Sequence, residues 1–260
     1  MAPSPRTSRA PRRPRPARKV SPKAKRRRRP RQLKLAARTR GGYRAGAGRP
    51  KGRSKHYVPH VRRPRVTAKD VTHITLSCVP GIPSLRRPVP YRLIREIFAA
   101  EGKRKGFRLV HFSVRRTHIH LVCEADSTRA LSRGVQRIAS RIARRLNKHF
   151  GRRGRFFADR FHGVVIDSPR QLRNVLRYVY LNEHKDAWRM GELVEGFDPY
   201  TSHRWFDGWA RSEGHPRPPP RCAADPVAAP KSWLLRRGWR RHGLIRTDEL
   251  PRAWSQRSAR

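Results

Sequence analysis

Cysteine is nearly absent: Cys78, Cys123 and Cys222 are the only three in 260 residues, far apart and without CxxC spacing. That excludes a disulfide scaffold and a cysteine-built zinc module and suits a reducing compartment, so any metal must find nitrogen or oxygen donors. Acidic residues are scarce too, 17 against 65 Lys and Arg, which leaves a formal net charge of +48. Such an excess repels itself, and the partner that relieves it is a polyphosphate, because binding one releases condensed counterions. Long apolar runs are missing as well. No stretch is long enough to span a bilayer and no secretory hydrophobic segment follows the basic start, so no membrane partner is expected and a soluble, cytoplasmic protein is.

What is abundant is arginine, and it is unevenly placed. The first acidic residue is Asp70, and 26 of the 65 cations lie before it, many in "PRRPRPARK" and "KAKRRRRPRQ". Like charge, many prolines and few large apolar residues cannot bury enough surface to offset ordering entropy, so residues 1–69 are expected to be a disordered arm that tracks phosphates. Within it "AGAGRPKGR" resembles an AT-hook, with Arg49 placed for a narrow minor groove.

From residue 70 to 209 the pattern is globular. "VTHITLSCV" alternates, with Ile74, Leu76 and Cys78 on one face of a strand. Pro90 opens a helix with an apolar stripe at Leu93, Ile94, Ile97 and Phe98, ended by Gly102. "FRLVHFSV" and "THIHLVCE" read as strands about a turn at Arg115 and Arg116, and a long helix capped by Asp126 or Ser127 follows. Its apolar stripe runs from Leu131 to Leu146, and Arg133, Arg137, Arg141, Arg144 and Lys148 recur on another face as expected backbone-phosphate contacts. "GRFFADRFHGVVID" supplies one or two strands, and Pro169 starts the last long helix. The order predicts an α+β fold, a small antiparallel sheet with helices packed on it, of the split βαβ (ferredoxin- or RRM-like) kind. Residues 210–260 read as a Pro/Arg-rich tail with a short helix at 231–239.

The chemistry concentrates in two elements. In a strand, residues i and i+2 point the same way, so His118 and His120 share a face and are placed to bind one cation, whereas Ile119, Leu121 and Cys123 take the other. An isolated HxH is a short motif, and on its own more often two packed or paired imidazoles. In the last helix Leu172, Val175, Leu176 and Val179 form the buried stripe. At about 100° per residue Asn182 falls within that stripe, Tyr178 sits at its edge, and Tyr180 lies roughly 140° from Val175. A phenol one turn from an amide, opposite paired imidazoles, offers two nitrogens and one oxygen to a divalent ion, with a nucleophile alongside.

These residues carry a resemblance. "THIHLV" resembles the HUH motif, "GRFFADRFHGVVID" and "RYVYLNEHKDAW" resemble the segments that follow it, and "DPYTSHRWFDGW" resembles the closing region of the single-tyrosine HUH transposases, nearest the REP-associated tyrosine transposases. The resemblance implies a bacterial, nucleoid-associated enzyme that cuts and joins single-stranded or hairpin DNA. Tyr178 is then the nucleophile, forming a 5′-phosphotyrosine, and His118, His120 and Asn182 hold Mg2+ or Mn2+. Two positions depart from the pattern: Thr117 stands where Asn precedes the first histidine, and Glu183 where Pro follows the asparagine. A catalytically silent DNA-binding protein of the same fold, and a relaxase or replication-initiator nickase, are the competing readings. The residues leave open whether the chain acts as a monomer or a homodimer.

Overall fold

The computed structural model describes residues 63–189, 196–210, 218–220 and 222–249. Strands β1 (Val71–Ser77), β2 (Phe107–Val114), β3 (His118–Ala125) and β4 (His162–Ile166) form one open sheet in the order β2-β3-β1-β4, every neighbouring pair antiparallel. Helices α1 (Pro88–Glu101), α2 (Thr128–His149) and α3 (Pro169–Arg189) complete the expected split βαβ arrangement. The α1 helix begins two residues before the expected Pro90, because Pro88 also tolerates a first-turn position, and Ser127 caps α2 by accepting from Ala130 N–H.

The sheet is covered on both faces, and strand alternation sorts its side chains between them. Ile74, Leu76, Ile119, Leu121 and Cys123 face α1 and α2, joined by Ile94, Phe98, Val135, Ile138 and Ile142. This packing is close: a Cβ at Gly134 of α2 would lie 2.3 Å from the Phe107 ring. The opposite face holds Val71, Val110 and Val122 against Leu172, Val175, Leu176 and Val179 of α3. An irregularity between Leu109 and His111 of β2 lets the consecutive residues Val110 and His111 both meet this second layer.

Three expectations need correction. The C-terminal stretch expected as a tail is, over its described residues, part of the second core: α4 (Trp233–Arg236) and the 3-10 turn Gly238–His242 bury Leu235, Trp239 and Ile245 against α3. Its anchor is Glu124 of β3, fully buried, whose carboxylate accepts from Arg108 Nε (2.9 Å) and from the backbone N–H groups of Lys231 (2.9 Å) and Ser232 (2.7 Å). Tyr180, expected away from the buried stripe, is only 2% exposed, enclosed by Phe206 and Trp209 and bonded through its hydroxyl to His111 Nδ1 (2.6 Å) and Ser202 Oγ (3.2 Å). The described residues before Asp70 also pack: Val66 is buried, and the Arg63 guanidinium lies 3.4 Å above the Phe161 ring. The rest of the expected arm, Arg49 included, lies outside the described residues. No described helix is long and apolar enough to cross a membrane.

Candidate active site

The site lies between the α3 face of the sheet and α3 itself. Strand alternation turns His118 and His120 toward α3, with ring centroids 4.7 Å apart. One helical residue, Tyr178, meets them: its ring is 5.0 Å from that of His120, edge to face. Tyr178 is half-buried, and Asn182, one turn further along the same helix face, is buried. The sequence-derived pair on the strand and the sequence-derived pair on the helix are therefore brought to one side of the sheet.

A third imidazole belongs to the same cluster. The β1–β3 register sets Thr75 opposite His120 and His73 one diagonal step away, so His73 stacks on His120 at 5.2 Å and meets Tyr178 at 6.3 Å. The signal was present in "VTHITL", where His73 falls on the face opposite Ile74 and Leu76. It was missed because pairing partners are not legible in one strand.

Electrostatics follow from burial. Loss of water holds His73 down to about 3, with the nearby His162 adding to it, and holds His118 down to about 4, helped by the Arg115 guanidinium. His120 is lowered well below the ordinary histidine value by burial and then by His73, His118 and Arg115. All three rings are thus neutral near pH 7 and present lone pairs. Burial raises Tyr178, Arg115 opposes that rise and Asp186 adds to it.

The donor set fits a divalent cation. His120 Nδ1 is 3.2 Å from the Thr75 hydroxyl, while its Nε2 is buried without a hydrogen-bond partner. In the tautomer whose Nδ1–H donates to Thr75, Nε2 is a bare lone pair with a fixed direction, the arrangement that metal-binding histidines use. The Asn182 amide nitrogen donates to Asp186 at 3.4 Å, which leaves the amide oxygen as the third candidate donor. Among the described residues no cluster of three or more His, Cys, Asp or Glu side chains is arranged to hold an ion.

The departures from the family pattern also find partners. Glu183 pairs with Arg115 and, at 3.4 Å, with Arg86, and Asp186 accepts from Arg115. Thr117 Oγ1 lies 3.5 Å from His118 Nδ1. The row expected along α2 is not uniform: Arg137 and Arg141 are committed to the buried Glu101 of α1 (3.5 and 3.1 Å), because that carboxylate has no water to solvate it. Arg133, Arg144 and Lys148 are exposed on α2.

Residues 82–182, which hold both histidines of the HxH pair, Tyr178 and Asn182, match the family model described as IS200-like transposase. The resemblance to single-tyrosine transposases read from the motifs thus holds over that segment. Among solved structures the chain is similar to a REP-associated tyrosine transposase bound to a REP hairpin, at 17% identity over 57% of this chain and 85% of that one, with a TM-score of 0.46. It is also similar to a candidate transposase from Deinococcus radiodurans R1, at 13% identity over 52% of this chain and all of the other, with a TM-score of 0.34. No curated protein matches the chain.

Proposed function

We propose that this protein is a DNA strand transferase that cuts and rejoins single-stranded or hairpin DNA through a covalent bond to Tyr178. The observation that carries the reading is the apposition of Tyr178 to the His118–His120 pair, within the segment that matches the IS200-like transposases.

The chain's own residues do the following. Tyr178 Oη loses its proton and bonds to the phosphorus of a DNA phosphodiester; the P–O3′ bond breaks, and the departing 3′ oxygen takes up a proton. One P–O bond forms as one is lost, so the linkage stores the energy for rejoining, and attack by another 3′-hydroxyl reverses the step onto a new strand. Burial works against the phenolate, whereas the Arg115 guanidinium stabilises it. His118, His120 and Asn182 would hold Mg2+ or Mn2+, which when bound polarises the phosphate and offsets the charge that develops on it. Arg133, Arg144 and Lys148 hold the DNA backbone without reading sequence.

The test is incubation of the full chain with a labelled single-stranded hairpin from the DNA flanking its gene, in Mn2+. A protein–DNA adduct that resists denaturation is expected, and it disappears in Tyr178→Phe. Retained DNA binding with no adduct from the wild type would replace the enzyme with a binding protein of the same fold.

A further inference from the structure

Arg115 occupies an unusual position for a cation in so basic a chain. It lies in the link between β2 and β3, its backbone N–H donating to the His118 carbonyl (2.8 Å), so its own place is tied to the histidine strand. Its side chain is 7% exposed, yet its ion-pair partners Glu183 and Asp186 on α3 are 29% and 38% exposed. A third carboxylate, Asp198, is 3.9 Å away. Three of only 17 acidic residues therefore gather on one guanidinium, beside the groups proposed to do the chemistry. Asp186, gripped by Arg115, also accepts from the Asn182 amide at 3.4 Å, one helical turn from Tyr178, so the guanidinium adjoins both the strand and the helix of that site, and its charge acts on His118, His120 and Tyr178.

The partners are arranged for exchange. Glu183 also contacts Arg86 (3.4 Å), which in turn is bidentate to Asp198 (2.9 and 3.0 Å). If Arg115 lets Glu183 go, Arg86 retains it, so no carboxylate is stranded. Asp186 is the more exposed of the two and regains water. The guanidinium itself is not free to leave, since little of it reaches solvent, and its fork matches phosphate oxygens as well as it matches carboxylates. The neighbouring tyrosine is where a phosphate has to come if Tyr178 is the nucleophile.

We propose that Arg115 grips a non-bridging oxygen of the phosphate attacked by Tyr178, and that Glu183 and Asp186 are exchangeable occupants that hold the guanidinium in place until DNA arrives. This rests on the function proposed above. It makes Glu183 a competitor of the substrate: the pair keeps the anion site filled when no DNA is bound, and binding requires the exchange.

The experiment uses the full chain and a series of one hairpin, each member carrying a single neutral methylphosphonate at a different step. Wild type is expected to bind one member markedly more weakly than the rest and to form adduct on it slowly. Arg115→Lys, which keeps the charge but loses the fork, is expected to slow adduct formation on the unmodified hairpin by about 100-fold, and the same methylphosphonate then adds less than about 3-fold, because the contact it removes is already lost. Full, additive penalties, or an Arg115→Lys rate within about 3-fold of wild type, would overturn the proposal and leave the function intact. If wild type forms no adduct, the function fails, and the binding data on the same series still decide whether Arg115 touches one phosphate. Glu183→Gln guards against a folding defect at Arg115: it should tighten hairpin binding several-fold, with no such gain in the Arg115→Lys background. Weaker binding by Glu183→Gln in a protein of normal melting temperature would mean that the carboxylates only brace the fold.

Discussion

The rings of Tyr178 and His120 stand edge to face with centroids 5.0 Å apart, although α2, β4 and half of α3 separate them along the chain. The pairing results from two periodicities meeting. A strand repeat of two sends His118 and His120 to the α3 side, and a helix repeat of 3.6 sends Tyr178 and Asn182 to the sheet side. Neither element alone makes a site.

Tyr180 is the natural rival to Tyr178 as nucleophile, and its surroundings argue against it. Its hydroxyl is spent on His111 and Ser202 within the second core. Tyr180→Phe should keep adduct formation and lower stability by about 1–3 kcal/mol, because the buried hydrogen bonds of its hydroxyl to His111 and Ser202 are lost. Urea denaturation alongside the adduct assay checks both halves.

The Thr75 hydroxyl lies 3.2 Å from His120 Nδ1, so its loss should loosen the proposed cation site without removing a proposed ligand. Thr75→Val is expected to weaken Mn2+ binding by about 10- to 100-fold, read by calorimetry in the absence of DNA. Unchanged affinity would place the ion elsewhere.

The buried imidazoles should make the fold acid-sensitive. A histidine lowered in the folded state binds fewer protons there than when unfolded, so stability is complete above the ordinary histidine pKa and declines as pH falls toward the folded value. For His73 that value is about 3 and for His118 about 4. The fold should weaken steadily below about pH 6.5, and His73→Gln should make the decline shallower by about 1.4 kcal/mol per pH unit between about pH 6 and 4. Melts at a series of pH values test the slope.

The basic segment should be removable only up to a point. A chain lacking residues 1–62 is expected to bind all DNA sequences more weakly, with a flatter salt dependence, because phosphate contacts position without specifying. Removal through residue 69 also takes away the buried Val66 and the Arg63–Phe161 stack, so that version should additionally melt at lower temperature. Equal melting temperatures for the two truncations would show that the 63–69 contacts add no stability.

At the other end, Glu124 holds the C-terminal segment in place. Glu124→Ala orphans Arg108 and two backbone N–H groups and should cost about 3–5 kcal/mol, measured by urea denaturation. Trp239→Ala, which empties a fully buried site in the same layer, should cost a similar amount.

By itself the sequence determined the local geometry of every element that carries the proposed chemistry. The alternation in "THIHLVCE" suffices to put two imidazoles on one face, and the spacing of Leu172, Val175, Leu176 and Val179 suffices to turn Tyr178 and Asn182 inward, because each depends only on a repeat of the backbone. Tertiary structure decided what pairs with what. The third imidazole is adjacent because β1 pairs with β3 in a register that sets His73 diagonal to His120. Tyr180 is buried because His111 of β2 and the 202–209 segment, with Ser202, Phe206 and Trp209, close over it. Arg137 and Arg141 turn to Glu101 because α1 packs beside α2, and the Arg115 cluster exists because a strand link meets the end of a helix. Such contacts join residues distant in the chain, and no local period encodes them.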